Sequence, residues 1–351
     1  MRRMKTLPTL AEMERAFFAS DAAFNGLFFV GVRTTGIFCR PTCSARKPLR
    51  KNISYFATVK EALFAGLRPC KRCRPLDESG HAPGWVAPLL ARIETSPDQR
   101  LTDDGLRALG VEPARARRCF QTHFGLTFQA YCRARRLGKS LEEIRNGGSL
   151  DDAVFDHGYE SHSGFRDTFS KLFGQPPGRS RATDPVLLQW LETPLGPMVA
   201  GANSTGVCLL EFSDRRLLET QFTAVRQRLR AALVPGDNLH LRQLKRELAE
   251  YFAGRQKYFL VPLASPGTLF QERVWNELRR IPYGKTLSYE GLAARLGNPR
   301  AGRAVGRANG LNRLCVVIPC HRVVNQNGEL GGYGGGMWRK RWLLEIEREH
   351  A

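Results

Sequence analysis

Apolar positions change their spacing along this chain, and the changes divide it into blocks. Between about 85 and 180 they recur at helical intervals. "LTDDGLRALGVEPARARRCFQTHFG" and "SLDDAVFDHGYESHSGFRDTFSKLFGQPPG" each predict an apolar-periodic helix, a glycine-containing turn and a second, basic helix. "TFQAYCRARRLGKSLEEI" predicts a helix that joins the two pairs. The period then shortens. "VLLQWLETPLGPMVAGANSTGVCLLEFSD" alternates apolar and polar residues around turn formers, as hairpin strands do. Helical spacing returns from "FQERVWNELRR" up to the apolar run "CVVIPC" (315–320), which predicts a short buried strand. Two stretches rich in Pro, Gly and small polar residues predict linkers, "PLDESGHAPG" (75–84) and "QPPGRSRATDP" (175–185). "VPLASPGT" (261–268) predicts a further subdivision of the last block.

Length fits several domains, because 351 residues exceed what one core usually supports. Charge narrows the partners. The 54 Lys and Arg against 33 Asp and Glu leave +21 and a pI near 10.1, which favours a polyanion such as nucleic acid. No apolar run is long enough for a membrane span, and the first twenty residues lack a signal peptide's apolar middle, so a cytoplasmic, nucleoid-associated protein with no membrane partner is expected. Nine cysteines in a chain this large point to metal ligation or thiol chemistry rather than a disulfide framework.

Four of those cysteines come in two close pairs, "CRPTC" (Cys39, Cys43) and "CKRC" (Cys70, Cys73), a set that closes a tetrahedral shell around one Zn2+. A purely structural zinc knot is the plain reading. The neighbours add to it, since residues 40–74 hold ten Lys or Arg against Glu61 alone, a surface suited to phosphates. Zinc keeps its thiols ionised, so four thiolates give a site of charge −2 that repels an ordinary phosphodiester but admits one neutralised by an alkyl group. Taking that group onto sulfur leaves −1. Removing one charge about 5 Å from a phosphate is worth roughly 1 to 3 kcal/mol, so methylation strengthens DNA binding.

This block resembles the methylphosphotriester-accepting domain of the Ada family of adaptive-response DNA repair regulators, through "VRTTGIFCRPTC" and "GLRPCKRC". The resemblance implies a small zinc-bound α/β domain with Cys39 as methyl acceptor and Cys43, Cys70 and Cys73 as co-ligands. The residues alone do not separate Cys39 from the other three. The paired helices resemble AraC-type helix-turn-helix units, which implies that residues near 113–123 and 161–172 face bases in successive major grooves. A helical spacer with a charged face is the alternative. The first unit departs from that family's pattern at Gly105, Leu106 and Glu112, and Cys119 and Cys132 read as buried fillers.

"VVIPCHRVV" sets a thiol, Cys320, beside an imidazole, His321, behind the rigid Pro319. Alone this is weak, because many cysteines in apolar runs are inert. A carboxylate able to orient the imidazole would complete a nucleophile–base–orienter set. The block resembles the O6-alkylguanine-DNA alkyltransferase family through "IPCHRVV", "GGYGGG" and "KRWLLEIE". That resemblance implies a ribonuclease-H-like α/β subdomain followed by a winged-helix-like helical domain. It makes Cys320 the alkyl acceptor, His321 the base, Glu347 (rather than its neighbour Glu345) the orienting carboxylate and Asn312 a hinge-region partner. Arg303, on the slim helix "NPRAGRAVGRANG", fills the space left by the target base; Tyr289 turns the nucleotide, Tyr333 lines the guanine pocket, and Arg322 contacts DNA or substrate.

The whole chain thus reads as a multidomain α+β protein: zinc-binding acceptor domain 1–80, helix-turn-helix domain 81–182, ribonuclease-H-like subdomain 183–265 and alkyltransferase domain 266–351. Each acceptor sulfur should act once, because a thioether has no easy way back. The expected partners are double-stranded DNA, alkylated and at promoters, and RNA polymerase once methylated, with the chain itself a monomer. A zinc transcription factor with a structural carboxy-terminal domain is the alternative from another class, and a cysteine hydrolase would have to turn over.

Overall fold

The computed structural model describes residues 8–21, 24–76, 83–159, 161–215, 217–264 and 266–351. Residues 77–82 of the first predicted linker lie outside these. The amino-terminal part opens with α1 (Leu10–Phe18), whose capping box joins Thr9 and Glu12 and satisfies two donors that a helix start leaves orphaned. The strands β1 (Phe29–Val32), β2 (Ile37–Cys39), β3 (Ile53–Phe56) and β4 (Arg68–Pro69) form a sheet of order β3-β1-β2-β4, with α2 (Val59–Phe64) between the last two in sequence. Alternation puts Phe28 and Val30 against α1, and Phe29 and Phe38 against Ala62 of α2. β2 and β4 run parallel with Phe38 opposite Pro69, so the residues that follow, Cys39 and Cys70, emerge side by side.

The middle part is α3 (Val86–Thr95), α4 (Asp103–Ala108), α5 (Pro113–Phe124), α6 (Phe128–Arg145), α7 (Leu150–Phe155) and α8 (His162–Phe173). Thr102, Thr127, Ser149 and Ser161 cap four of these helices through their side chains. At α5 the cap position holds Glu112, whose side chain makes no cap bond, and Pro113 supplies the preset φ of a first turn. α6 belongs to two cores at once. Its start (Phe128, Tyr131, Cys132) packs with Leu106, Phe120 and Phe124, and its second half (Leu137, Leu141, Ile144) packs with Phe165 and Phe169. The departures in the first unit are absorbed: Leu106 is buried against this core, and Gly105 has nothing nearer than 3.6 Å to where a Cβ would sit. Burial pushes the Cys132 thiol up to about 12, as expected of a filler, whereas Cys119, pushed up to about 11, is only half-buried.

The stretch predicted as the second linker is ordered. A 3-10 turn at Pro177–Arg179 buries Pro177 and Ser180, whose hydroxyl donates to the Pro177 carbonyl at 2.7 Å. Beyond it, β5 (Val186–Leu191), β6 (Met198–Ala202), β7 (Val207–Phe212) and β8 (Leu233–Pro235) form a sheet of order β7-β6-β5-β8. The first three are antiparallel, and α9 (Leu218–Leu229) carries the chain across to β8, which is parallel to β5. One-sided hairpins were expected, but every residue of β6 and β7 is buried. The reason is that α9 covers one face while α10 (Leu239–Phe252) and the helices beyond cover the other, and most polar residues sit in the turns. Those helices are α11 (Leu269–Arg279), α12 (Tyr289–Arg295), α13 (Gly302–Gly310) and α14 (Met337–Glu349), with a parallel pair β9 (Leu287–Ser288) and β10 (Val323–Val324). Met198, Leu210 and Phe212 of the sheet share one core with Trp275, Leu292 and Leu343, so the predicted division near 265 crosses a continuous interior. No helix among the described residues is long and apolar enough to cross a membrane.

Candidate active and metal sites

The Cys39, Cys43, Cys70 and Cys73 sulfurs lie within 4.8 Å of one another, at the end of the small sheet where β2 and β4 finish. Their donor chemistry fits zinc. Zn–S bonds of about 2.3 Å put tetrahedral sulfurs about 3.8 Å apart, and the Cys43 and Cys70 sulfurs are 3.9 Å apart. Cys73 is the most exposed of the four and accepts the Arg40 N–H at 3.3 Å. Burial pushes the Cys43 thiol up, and an amide of Ala45 opposes that rise. Arg46, Lys71, Arg72 and Arg74 are exposed around the cluster.

The second sulfur is delivered differently. Residues 315–320 do not form the strand that was expected. Leu210 N–H donates to the Arg313 carbonyl and Cys315 N–H to the Leu210 carbonyl, a single bridge at the edge of β7, after which the chain folds into tight turns with Val316 at φ 72°. The run is apolar because it is buried, and burial alone does not choose a strand. A branched residue at positive φ is costly and persists only where its surroundings fix it. Pro319 then sets Cys320 at the start of a one-turn 3-10 helix, Cys320–Arg322, whose three side chains are all buried.

Around Cys320 the polar groups interlock. Asn312 Nδ2 donates to the Cys320 sulfur at 3.1 Å and to the Ile318 carbonyl at 2.9 Å, while its Oδ1 accepts from Leu314 N–H at 3.0 Å. The single S–H of Cys315 lies between two acceptors, the Glu211 carboxylate at 3.0 Å and the Cys320 sulfur. With Cys315 and Asn312 as donors, the Cys320 thiol is drawn below its ordinary value although burial opposes this. His321 Nε2 meets the Glu347 carboxylate at 2.8 Å; its Nδ1 is buried without a protein partner among the described residues. His321 Nδ1 is thus the ring nitrogen left open to exchange a proton. Burial holds His321 below its usual value, hence neutral, whereas Glu347 stays well below the carboxylate range: against the cost of burial, His321 and Arg322 favour its charge. Tyr251 Oη also donates to Glu347, at 2.6 Å. Glu345 is half-buried and outside this network.

A cavity of about 320 Å³ opens over the Cys320 sulfur, lined by Asn309, Asn312, Tyr289, Tyr333, Arg215 and glycines of the 332–334 loop among others. Tyr333 Oη is buried there without a partner among the described residues, and Tyr289 Oη faces the Gly332 carbonyl at 3.4 Å. Arg303 is exposed on α13 beside Tyr289, where Gly302 and Gly306 keep the helix slim; Val305, Ala308 and Asn309 form its buried face.

Three family descriptions match along the chain: the metal binding domain of Ada over residues 12–76, a helix-turn-helix domain over 106–183, and the DNA binding domain of 6-O-methylguanine DNA methyltransferase over 269–349. The bifunctional transcriptional activator/DNA repair enzyme Ada of Escherichia coli K12 is 34% identical, over 99% of both chains. The chain belongs to the Ada family. The regulatory protein ada of Salmonella typhimurium is 33% identical over 94% of each. Solved structures resemble its parts. Mycobacterium tuberculosis OGT in complex with DNA is 38% identical, covering 47% of this chain and 95% of that one with a TM-score of 0.41. The methylated N-ADA/DNA complex is 35% identical, with coverages of 36% and 97% and a TM-score of 0.31.

In this Ada-family chain one expected contact is corrected. Arg322 was expected to face DNA or substrate, but its guanidinium is buried, donating to Glu347 at 2.9 Å and to the Ile281 carbonyl at 2.6 Å, and is unavailable to phosphate. Sequence reasoning passed over Glu211, Arg215, Cys315, Tyr251 and Lys340. Lys340 is fully buried and ties the Val323 and Gly331 carbonyls together at 2.6 and 3.1 Å, anchoring the loop that carries Tyr333. A signal existed for Glu211, the only charged residue in an apolar strand, four residues before an arginine.

Proposed function

We propose that this protein repairs alkylated DNA by two one-use methyl transfers, and that the methylated form activates transcription of the adaptive response. It is a methylated-DNA–protein-cysteine S-methyltransferase, stoichiometric because each acceptor is consumed. The observation that carries the reading is the buried Cys320 sulfur at the floor of a base-sized cavity, held by Asn312 beside the His321–Glu347 pair.

O6-methylguanine leaves the duplex stack to reach this sulfur, with Arg303 filling its place and Tyr289 holding the rotated nucleotide. The Cys320 proton passes through water to His321, whose orientation Glu347 fixes. The thiolate attacks the methyl carbon; a C–S bond forms as the C–O6 bond breaks, and the electron pair stays on the guanine. Tyr333 Oη donates to the departing O6. A proton then returns to N1, leaving guanine and S-methyl-Cys320.

At the amino-terminal cluster, zinc held by Cys39, Cys43, Cys70 and Cys73 keeps the sulfurs ionised at neutral pH. Cys39 is the acceptor. Among the described residues no backbone amide donates to Cys39, which supports this against Cys43 and Cys73. Its sulfur takes the methyl carbon of a phosphotriester, releasing an anionic phosphodiester. The exposed arginines and lysines nearby hold the strand. In the helix-turn-helix part, α5 exposes Arg117, Arg118, Gln121 and Thr122, and α8 exposes Ser163 and Arg166, the faces we assign to promoter bases.

We assign 1–80 to the zinc domain, 81–182 to promoter binding, and 183–265 with 266–351 to the alkyltransferase. We further assign a monomer, cytoplasmic at the nucleoid, that engages RNA polymerase once methylated. The deciding test is Cys320→Ala. Loss of methyl transfer from O6-methylguanine with zinc content unchanged is expected; continued transfer, or repeated turnover by the unaltered chain, refutes the reading.

A further inference from the structure

We propose that Arg215 is a positioning residue of methyl transfer, a fixed cation from the turn after β7 that faces the Cys320 cavity and clamps the segment carrying Asn312. This rests on Cys320 being the acceptor. Its starting point is Glu211, fully buried within an apolar strand. An isolated carboxylate there would not stay charged, and burial indeed pushes Glu211 up while Arg215 opposes the rise. Arg215 is buried as well, 8% exposed. Its Nη1 donates to Glu211 and, at 3.2 Å, to the Asn312 carbonyl, and its Nη2 donates to the Gly310 carbonyl at 2.5 Å. One guanidinium thus joins the sheet edge to the end of α13 and to the residue whose amide holds the Cys320 sulfur.

The glycine loop is shaped around it. A Cβ on Gly334 would lie 2.6 Å from the Arg215 Cζ, so a larger residue there would push the guanidinium out of this position. Arg215 lines the cavity with Cys320, Cys315 and Tyr333; Glu211 does not. The ion pair is therefore oriented, its positive end toward the sulfur. Of the other charged or titratable groups near Cys320, Arg322 is neutralised by Glu347, and His321 is neutral and paired with the same carboxylate. Lys340 is bound to two carbonyls, and burial draws it down to about 8. Tyr289, Tyr333 and Cys315 are all held neutral, above their ordinary values. Arg215 is the charge that favours the thiolate through the working pH range.

The test is single-turnover transfer from an O6-methylguanine duplex to the zinc-loaded full chain, measured against pH, for Arg215→Gln, Arg215→Lys and Glu211→Gln. Arg215→Gln is expected to raise the midpoint of the rate profile by about one unit, a loss of about tenfold at neutral pH that recovers in alkali. Arg215→Lys should restore the midpoint, and Glu211→Gln should lower it. An unmoved midpoint in Arg215→Gln, or a loss equal at every pH and not rescued by lysine, overturns the proposal. Should Arg215→Gln fail to fold, Glu211→Gln decides: a lowered midpoint supports the proposal, and an unmoved or raised one overturns it. Failure of the unaltered chain to methylate Cys320 would instead reject the acceptor assignment.

Discussion

Glu347 anchors the carboxy-terminal site, and replacing it with glutamine tests how that site is held. Its carboxylate accepts from Tyr251 Oη, His321 Nε2, Arg322 Nε and Nη2, and Gly284 N–H, at 2.6, 2.8, 2.9, 2.9 and 3.2 Å. Both carboxylate and guanidinium are out of water, with side-chain exposures of 0% and 6%. Glutamine keeps the shape but leaves Arg322 charged and unpaired, and breaking a buried pair on one side costs about 3 to 5 kcal/mol. Arg322→Met strands the carboxylate and should cost a similar amount. The double variant should cost less than the sum of the two by about 2 kcal/mol or more, since each single change leaves a charge behind. Urea unfolding followed by tryptophan fluorescence reads this, because four of the five tryptophans, Trp190, Trp275, Trp338 and Trp342, lie in the carboxy-terminal half. The sign of the pH dependence is also fixed. A folded-state value held below the ordinary 4.5 stabilises above that pH and loses its effect as pH falls. The gap between wild type and Glu347→Gln should thus hold near neutrality and begin to shrink only as pH falls below about 4.5, closing further into acid. A loss under about 1 kcal/mol, or strict additivity in the cycle, would refute the buried-pair reasoning.

Two further outcomes are expected. Arg303→Ala should slow transfer from duplex O6-methylguanine by about tenfold while leaving transfer from the free alkylated base unchanged, since only the duplex has a stack to fill; equal losses on both substrates would place Arg303 in folding rather than extrusion. Chelation of zinc should expose residues 8–76 to protease while Cys320 still accepts methyl groups, because metal binding and folding are one event in so small a unit; a chelated chain that keeps its protection would contradict this.

The chemistry was legible wherever adjacent residues carried it. Cys39 with Cys43, Cys70 with Cys73, and Cys320 with His321 declare themselves by spacing, and the helix pairs by period, because local geometry puts such residues on one face or one loop. Groups joined through space were not legible. Arg215 reaches the Asn312 carbonyl across 97 residues, and Tyr251 reaches Glu347 across 96. Nothing in the local pattern of either partner records the other. Arg322 was misplaced for a related reason: an arginine beside a reactive cysteine in a basic chain reads as a DNA contact until a distant carboxylate is found to hold it. The run 315–320 was misread because apolarity reports burial, while its backbone turns follow from the bridge to Leu210. Cys39 and Cys70 meet only through the parallel register of two short strands.

The central claim is that two sulfurs, and only two of the nine cysteines, take methyl groups from DNA. Mass spectrometry of the intact chain after incubation with methylated duplex, followed by mapping of the modified peptides, measures it directly. The account predicts two added methyl groups, one on Cys39 and one on Cys320. Methyl groups on other cysteines, or none on either of these while the folded, zinc-bound chain still binds the duplex, would contradict it.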